Sequence, residues 1–394
     1  MNNAHFQGGI LVGSMAQPMP ETIGQPVSSE QLACVPWREM LDQTEAWDEL
    51  AQRAAEPNPF YESWYLLPSL ASFDNGNDIS ILRFTRDQKL CALMPIVRQS
   101  KYEGWPLAHI CNWIHPNIFF GTPLVARGME THFWRALLNW ADDQTRLSFF
   151  LHLHEFALSG PVFESLELVL ASDGRIWGVV EDKERALLAS DLAAEDYLAQ
   201  SVSSRTRKDL NRRARRLSEV GEVSFKWETG TDRIAPWIDE FLLLEAAGWK
   251  GEAASALACD TATRTLFRNS LAGAAKRQRL VRLSLRVNGK PIAMLSTFLT
   301  PPGAFGFKTA FDEDFGRFSP GLLLEREFLD ALQRYNIDWC DSCAAPNHSV
   351  MNRMWQERRP LGRISISIGG PLRRATFGQV LRREMANTHS GVQA

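Results

Sequence analysis

Lys308 and Asp312 share one face of a predicted strand that begins at Gly303 and leads into a Ser-Pro-Gly sequence at residues 319–321. Serine is a favoured N-cap, proline suits the first helical position, and glycine lets a ligand approach free backbone N–H groups. A strand that feeds a helix with an open amino end is a common site for phosphate or pyrophosphate. The pattern predicts a phosphate-bearing cofactor across this turn, with an ordinary helix cap as the alternative.

Residues 203–217 hold seven basic residues against one acid, with Leu210, Ala214 and Leu217 forming an apolar stripe. This pattern predicts an amphipathic helix with a basic outer face. A solvated surface is the ordinary interpretation of such a face. The functional interpretation is capture of an anion, such as a cofactor phosphate, an acidic glycan or RNA. No aromatic residues interleave with these charges, which disfavours binding of single-stranded nucleic acid.

Trp249 and Lys250 stand between two glycines in a predicted loop. Exposed loops of this kind often carry binding residues, so the loop is a candidate substrate lid. A helix end followed by a buried tryptophan explains the same residues equally well.

Other patterns are better explained by packing than by chemistry. The sequence Cys-Asp-Ser-Cys at 340–343 has redox spacing but no second pair, and His152 and His154 alternate along a strand without a third zinc ligand. No metal site is predicted. The phosphate-binding loop of NTPases, the dinucleotide fingerprint and the nucleophile elbow are all absent from the sequence, which argues against kinases, Rossmann dehydrogenases and typical esterases.

Composition indicates a soluble, two-domain protein. The chain has 394 residues, of which 45% are hydrophobic and 23% charged, with a net charge of −3. This charge gives no overall reason to expect nucleic acid. The six scattered cysteines favour a reducing, cytoplasmic compartment, and no segment has the roughly 20 apolar residues of a membrane span.

The hydrophobic periodicity predicts mixed α/β layers. Hairpins are expected at 79–97 and at 279–299, where Asn288-Gly289 is a type I′ turn signal. We expect further strands at 107–113, 122–125, 147–156, 166–170, 177–180, 222–229, 337–341 and 363–368. We expect helices at 47–55, 131–142, 196–220, 231–247, 260–276 and 348–357. Both halves contain a hairpin followed by strand and helix units, which hints at a duplicated α/β unit.

Several motifs resemble the CelD/BcsL-type acetyltransferases of the GNAT superfamily, a group associated with cellulose biosynthesis. The motifs are NPFYESWYL (58–66), SRTRKDLNRRARRL (204–217), GWKG (248–251), RLVRLSLRVNGKPIAMLSTFL (279–299), FGFKTAFDEDFGRFSPGLLLEREFL (305–329), DWCD (338–341) and MNRMWQERRPLGR (351–363). The resemblance covers about residues 57–368 and is strongest over 249–361. It implies two GNAT-like units, related to the Fem peptidoglycan aminoacyltransferases.

The resemblance also implies a site. Acyl-CoA, such as acetyl-CoA, would enter between parted parallel strands at 303–311 and 337–341, and its pyrophosphate would lie at the following helix start. The loop at 317–322 is only an approximate version of the superfamily's phosphate loop. The implied cofactor-binding residues are Thr309, Arg317, Phe318, Ser319, Pro320, Gly321 and Leu322. The implied catalytic residues are Lys308, Asp312 and Asp341, and the implied acceptor-binding residues are Phe60, Trp64, His115, Trp249 and Lys250.

The sequence therefore predicts an α/β protein of two tandem GNAT-like units, with mixed sheets flanked by helices. The expected divisions are a flexible tail (1–35), an N-terminal unit (36–190), a C-terminal unit with the cofactor site (191–375) and a C-terminal tail (376–394). The predicted function is transfer of an acyl group from acyl-CoA to a glycan, amino-sugar or peptide-like acceptor, without a metal. A Fem-like aminoacyl-tRNA-dependent transferase, which would use the 205–216 helix for RNA, and a non-catalytic subunit of polysaccharide assembly are the alternatives.

Overall fold

The computed structural model describes residues 29–74, 76, 79–144, 148–248, 251, 253–254 and 256–391. Its strands are β1 (Glu30–Pro36), β2 (Ser80–Arg86), β3 (Lys89–Gln99), β4 (His109–Asn112), β5 (Leu124–Val125), β6 (Phe150–Ala157), β7 (Trp177–Leu188), β8 (Val223–Thr229), β9 (Leu280–Val287), β10 (Lys290–Thr300), β11 (Gly303–Phe311), β12 (Trp339–Asp341) and β13 (Glu357–Ser367). Its α-helices are α1 (Thr44–Gln52), α2 (Ser63–Phe73), α3 (Glu130–Asp143), α4 (Pro161–Ser172), α5 (Ala194–Ser201), α6 (Ser204–Ser218), α7 (Ile234–Ala246), α8 (Thr261–Lys276), α9 (Pro320–Phe328), α10 (Ala331–Tyr335), α11 (Ser349–Met354) and α12 (Pro371–Gly391).

One mixed sheet runs through the described part of the chain. Its strand order is β1-β2-β3-β4-β6-β13-β7-β12-β11-β10-β9-β8, and β5 pairs with β3 off this path. Two pairs in this sheet are parallel, β4 with β6 and β11 with β12. The helices flank the sheet, so the predicted α/β class is confirmed.

The order reveals an exchange of strands between the two halves of the chain. β7 ends the first half but pairs with β12 of the second half, and β13 ends the second half but pairs with β6 of the first. Each half otherwise repeats the same succession of a strand, helices, a hairpin, a strand, a helix, a parallel strand and a helix. The prediction of two tandem units is confirmed, but the units share one sheet instead of forming two.

The local sequence explains most of these elements. Asn288 and Gly289 have φ angles of 49° and 80°, as the predicted type I′ turn between β9 and β10 requires. The predicted helix at 196–220 is two helices, α5 and α6, because the side chain of Ser203 caps α6 by accepting a hydrogen bond from the Thr206 amide at 3.2 Å.

The strand predicted at 166–170 is wrong, because these residues lie within α4. Short apolar runs do not distinguish a strand from a buried helix face. The positive φ of Gly160 (93°) and the proline at the first helical position mark the start of this helix.

Both predicted tails contain ordered elements. β1 begins at Glu30 and pairs with β2, which corrects the end of the tail expected over residues 1–35; residues 1–28 lie outside the described part. The C-terminal tail expected from 376 onward is instead covered by α12 as far as Gly391. The ring of Phe377 stacks on Phe150, with 5.2 Å between ring centroids, which anchors α12 on the sheet.

Aromatic side chains from both halves form a common core. Phe60 is fully buried and meets Phe298 and Phe305 edge to face at centroid distances of 6.3 Å and 5.9 Å. Trp64 on α2 lies against α8, where a Cβ added to Gly273 would stand 3.0 Å from the Trp64 Cβ. Phe60 and Trp64, which the sequence analysis assigns to an acceptor, are buried here and join the two halves.

A buried ion cluster joins the exchanged strands to β12. The carboxylate of Asp341 is fully buried and accepts hydrogen bonds from Arg185 of β7 at 2.8 Å and from Arg359 of β13 at 3.0 Å. It also accepts one from the Cys343 amide at 2.9 Å. Burial favours the neutral acid, but the two arginines outweigh it and hold the pKa of Asp341 below its ordinary value.

We predict that Asp341→Asn lowers the free energy of unfolding by about 3–5 kcal/mol, because it leaves the buried Arg185 without its counter-charge. Urea denaturation measures this change. Because the pKa of Asp341 is lowered in the folded state, the difference is full above the ordinary carboxyl range of about pH 4 and shrinks as pH falls through the folded pKa. Asp330→Asn breaks an exposed pair with Arg334 and is the control, with a loss of about 1 kcal/mol or less. Equal losses in the two variants would contradict the assignment.

Candidate functional site

The parallel strands β11 and β12 pair only at their beginning. Gly303, Ala304 and Phe305 face Trp339, Cys340 and Asp341, and β11 then continues to Phe311 without β12 beside it. We call the resulting space, bordered by residues 306–311, the β11–β12 gap. A register shift opposite Ser296/Thr297 places a bulge in β11 at this point, and bulges bend a strand and re-aim its side chains.

Gly306 marks the root of the gap. A Cβ at this position would lie 2.9 Å from the carbonyl oxygen of Ser342. The backbones of the two strands therefore approach here as only glycine allows, and they separate beyond it.

The amino end of α9 lies beside the far end of β11. A Cβ added to Gly321 would find only the Phe311 Cδ1, at 3.9 Å, within 4 Å. Pro320 occupies the first helical position as predicted, and the amide of Leu323 donates to Ser319 O at 3.1 Å. The amides of Gly321 and Leu322 precede that first bond and have no partner position within the helix. An anion held by these amides would lie next to the β11–β12 gap.

Ser319 does not cap the helix with its side chain as the sequence predicts. Its backbone is left-handed, with φ of 52°, and its Oγ accepts a hydrogen bond from the guanidinium of Arg213. Serine is a sequence signal for a cap, but here the Ser319 hydroxyl bonds to Arg213 of α6 and not to an amide of α9. The guanidinium of Arg213 therefore lies at the start of α9, where the sequence predicts a side-chain cap.

The basic helix α6 thus reaches the turn before α9. Arg213 is positioned by Asp209, which accepts from its Nε at 2.7 Å, and Arg326 of α9 donates to Asn211 at 2.7 Å. Arg317 is exposed and lies over the Phe318 ring, 4.7 Å from its centroid. Sequence reasoning singled out the basic stretch without selecting Arg213, because only the packing of α6 on α9 distinguishes it from its neighbours.

Lys308 points from the gap toward the first half of the chain. Its Nζ lies 5.1 Å from the centroid of the Phe119 ring and 5.6 Å from that of Phe307. Burial and, second, the Lys308 charge lower the pKa of His115 to about 3. The structure thus brings together two predicted site residues, Lys308 and His115, from different halves. Thr309 is half-buried on the same stretch of β11.

The two predicted carboxylate bases have structural partners. Asp341 holds the ion cluster at the root of the gap, and its lowered pKa makes it a weak base. Asp312 accepts from the Asp314 amide at 3.1 Å and lies 3.5 Å from the Lys290 Nζ. Its side chain starts the turn over Glu313–Phe318 that leads to Ser319.

Trp249 and Lys250 lie outside the described residues. The preceding residue, Gly248, is described, and a Cβ there would lie 2.9 Å from the Glu313 Oε1. Gly248 therefore lies beside the turn that precedes α9. Within the described ranges, no group of three or more His, Cys, Asp or Glu side chains is arranged to hold a metal ion.

Comparison with known proteins agrees with this geometry. Residues 204–348 match the family model described as "Acetyltransferase (GNAT) domain", and these residues include α6, both strands of the gap and the α9 start. This part of the chain is therefore similar to a GNAT-type acetyltransferase domain. The sequence matches no curated protein.

Three solved structures have a similar fold. FemX is 9% identical, with a TM-score of 0.56 over 84% of this chain and 97% of its own. The C-terminal domain of a putative lysylphosphatidylglycerol synthetase from Agrobacterium fabrum is 13% identical, with a TM-score of 0.51 over 86% and 96%. A conserved protein of unknown function from Bacteroides thetaiotaomicron is 14% identical, with a TM-score of 0.50 over 82% and 97%. At these identities the likeness concerns the fold alone.

We predict that Arg213→Ala weakens binding of inorganic pyrophosphate about tenfold, because a charged hydrogen bond at the helix start is removed. Isothermal titration calorimetry at low salt measures the affinity. Arg212→Ala is the matched control: Arg212 also pairs with Asp209 but is more exposed, and its loss should change the affinity less than twofold. Equal effects of the two substitutions would contradict a site at Ser319.

Proposed function

We propose that this protein transfers an acyl group from acyl-CoA to an amine or hydroxyl of an acceptor. The observation that supports this most strongly is the adjacency of two features: β11 and β12 separate after three residue pairs, and the open amino end of α9 lies beside the end of β11. A thioester carrier with a diphosphate would fit a gap between strands that ends at an anion site.

The helix start suits the diphosphate. The amides of Gly321 and Leu322, the positive end of α9 and the Arg213 guanidinium each favour negative charge there. Gly321 leaves space for the oxygens to approach the backbone. Arg317, one turn earlier, is the further cation available to the cofactor.

The gap suits the reacting end. Acetyl-CoA or another acyl-CoA would supply the activated acyl group as a thioester. Backbone N–H groups of β11 near Lys308–Ala310 that do not face β10 would polarise the carbonyl by hydrogen bonding. The acceptor nitrogen or oxygen forms the new bond to the acyl carbon as the carbon–sulfur bond breaks, and its proton passes through water to the departing thiolate. Lys308 would position the acceptor, since it lies between the gap and the first half.

We predict that Gly321→Leu lowers CoA affinity at least tenfold and leaves the fold intact. The new side chain would fill the space above the amides, and the nearest described atom is 3.9 Å from its Cβ, so the helix itself is not strained. Calorimetric titration with CoA measures the affinity, and thermal unfolding measures the fold.

Gly370→Leu is the matched control, because a Cβ there meets nothing within 4 Å and is likewise unhindered, and the position directly precedes α12. CoA affinity should be unchanged in this variant. An unchanged CoA affinity in Gly321→Leu would show that the cofactor does not bind at the start of α9.

A Fem-like aminoacyl-tRNA-dependent transferase is the second candidate. The exposed basic face of α6, with Arg205, Lys208, Arg212 and Arg215, is the observation that favours it. If tRNA is the donor, its affinity should fall steeply between low and physiological salt and should drop when these residues are replaced, and CoA should not bind. Filter binding at two salt concentrations, run beside CoA titration, separates the two donors. Tight CoA binding with salt-insensitive, weak tRNA binding favours acyl-CoA.

The proposal also covers the compartment, the enzyme type and the class of acceptor. We infer a cytoplasmic enzyme of the CelD/BcsL type that acts on a glycan, amino sugar or peptide-like acceptor in exopolysaccharide, cellulose or envelope synthesis, on the motifs quoted above. Among the described residues, no helix is long and apolar enough to cross a bilayer. A non-catalytic subunit of polysaccharide assembly is the remaining rival, and it predicts no CoA binding at millimolar concentration.

A further inference from the structure

The first half of the chain contains a second pair of parted parallel strands. β4 and β6 pair at only two positions, Ile110 with Leu151 and Cys111 with His152. The side chain of Asn112 then fills the place of the next backbone pair. It accepts from the His154 amide at 2.7 Å and donates to the carbonyls of His154 and Gly121, both at 3.0 Å. The separation is thus built by hydrogen bonds and is part of the fold.

A cavity of about 520 Å³ lies where these strands separate. Its volume is within the range of small-molecule sites. Its walls include the aromatic side chains of Phe73, Tyr102 and Trp113. The histidines His109, His115 and His154 line it as well. Aromatic faces beside a few convergent polar groups are typical of a site for a small organic ligand.

The imidazoles around the cavity are uncharged at neutral pH. Burial is the main cause, and it lowers the pKa of His115 to about 3, that of His154 to about 4 and that of His109 below its ordinary value. His152 lies behind this wall, with its ring centroid 4.4 Å from that of His154. A neutral imidazole donates one hydrogen bond and accepts another. The cavity wall therefore provides uncharged hydrogen-bond donors and acceptors.

Two of these rings have hydrogen-bonding capacity to spare. The Nδ1 of His115 accepts from the Asn117 amide at 3.3 Å, and the Nδ1 of His152 lies 2.8 Å from the Ser365 Oγ. The Nε2 atoms of both are buried, and neither has a hydrogen-bond partner among the described residues. Buried polar atoms without partners are uncommon in native proteins, and a missing ligand is one explanation.

The charged residues of the cavity are largely compensated. Arg363 lies 3.6 Å from Glu103 and also forms an ion pair with Glu181. Lys101 is an exposed residue at the cavity. An anionic ligand would therefore displace existing pairs, whereas an uncharged ligand would keep them.

One residue of the cavity wall lies near the proposed site of transfer. His115 lines the cavity, and the charge of Lys308 from the β11–β12 gap lowers its pKa. Phe119, which lies under Lys308, belongs to the same loop of the first half. The cavity and Lys308 are thus linked through residues of this loop.

We propose that the cavity between β4 and β6 binds the acceptor, and that the acceptor is an uncharged, polyhydroxylated molecule, a sugar or short glycan, whose hydroxyls pair with the histidines and whose ring lies on the aromatic walls. This inference rests on the proposed acyl transfer for its biological role. The site itself is testable without the donor.

The test uses the full chain labelled with ¹⁵N-histidine and long-range ¹H–¹⁵N spectra. The chain has eight histidines; His109, His115 and His154 line the cavity, and His152 lies directly behind His154. Cellobiose is titrated without CoA, and inorganic phosphate is titrated separately. Cellobiose should shift the signals of these four histidines saturably and leave that of the half-buried His132 on α3, which is outside the cavity lining, unchanged. Phosphate should shift none of the four.

His154→Phe is the informative variant, because it keeps a ring of similar size and removes the polar edge; cellobiose affinity should fall at least tenfold. His132→Phe is its control and should bind as the parent does. No saturable shift with cellobiose, a shift by phosphate alone, or equal affinity in both variants would each overturn the inference.

Titration with CoA separates this inference from the proposed function. If CoA binds and cellobiose does not, the acceptor site is wrong and acyl transfer stands. If cellobiose binds and CoA does not, the sugar site stands and acyl transfer falls.

Discussion

The buried carboxylate of Asp341 is the contact on which the rest of this structure depends. It is the last residue of β12 to pair with β11, and it is held by Arg185 and Arg359, one from each of the exchanged strands β7 and β13. Removing one partner from a buried ion cluster leaves an uncompensated charge and is strongly destabilising. The cluster lies where the pairing of β11 and β12 stops, at the root of the gap.

The exchange of β7 and β13 joins the two halves of the chain into one sheet. Because each half of the chain completes the sheet of the other, neither half has a full set of strands by itself. The aromatic core around Phe60 continues across the same junction. The cavity in the first half and the β11–β12 gap in the second half therefore have a fixed relative position, which would suit the proposed transfer between two bound molecules.

The sequence predicted the elements with strong local signals and missed those set by distant partners. The Asn288-Gly289 turn, the hairpins and the helix start at Pro320 depend on residues next to one another, and they are confirmed. The exchange of strands and the loss of the Ser319 cap depend on contacts across about 100 residues or more, such as that of Arg213. Phe60 and Trp64 resemble exposed binding aromatics in sequence, and only their burial identifies them as core.

Hydrogen–deuterium exchange with and without CoA tests the central claim most directly, since it reports on backbone amides one segment at a time. The account predicts slower exchange on CoA binding in two segments, residues 306–311 of β11 and residues 321–322 of α9. It predicts no change over residues 109–115, which border the cavity in the first half. Protection confined to the first half, or no protection anywhere at saturating CoA, would contradict it.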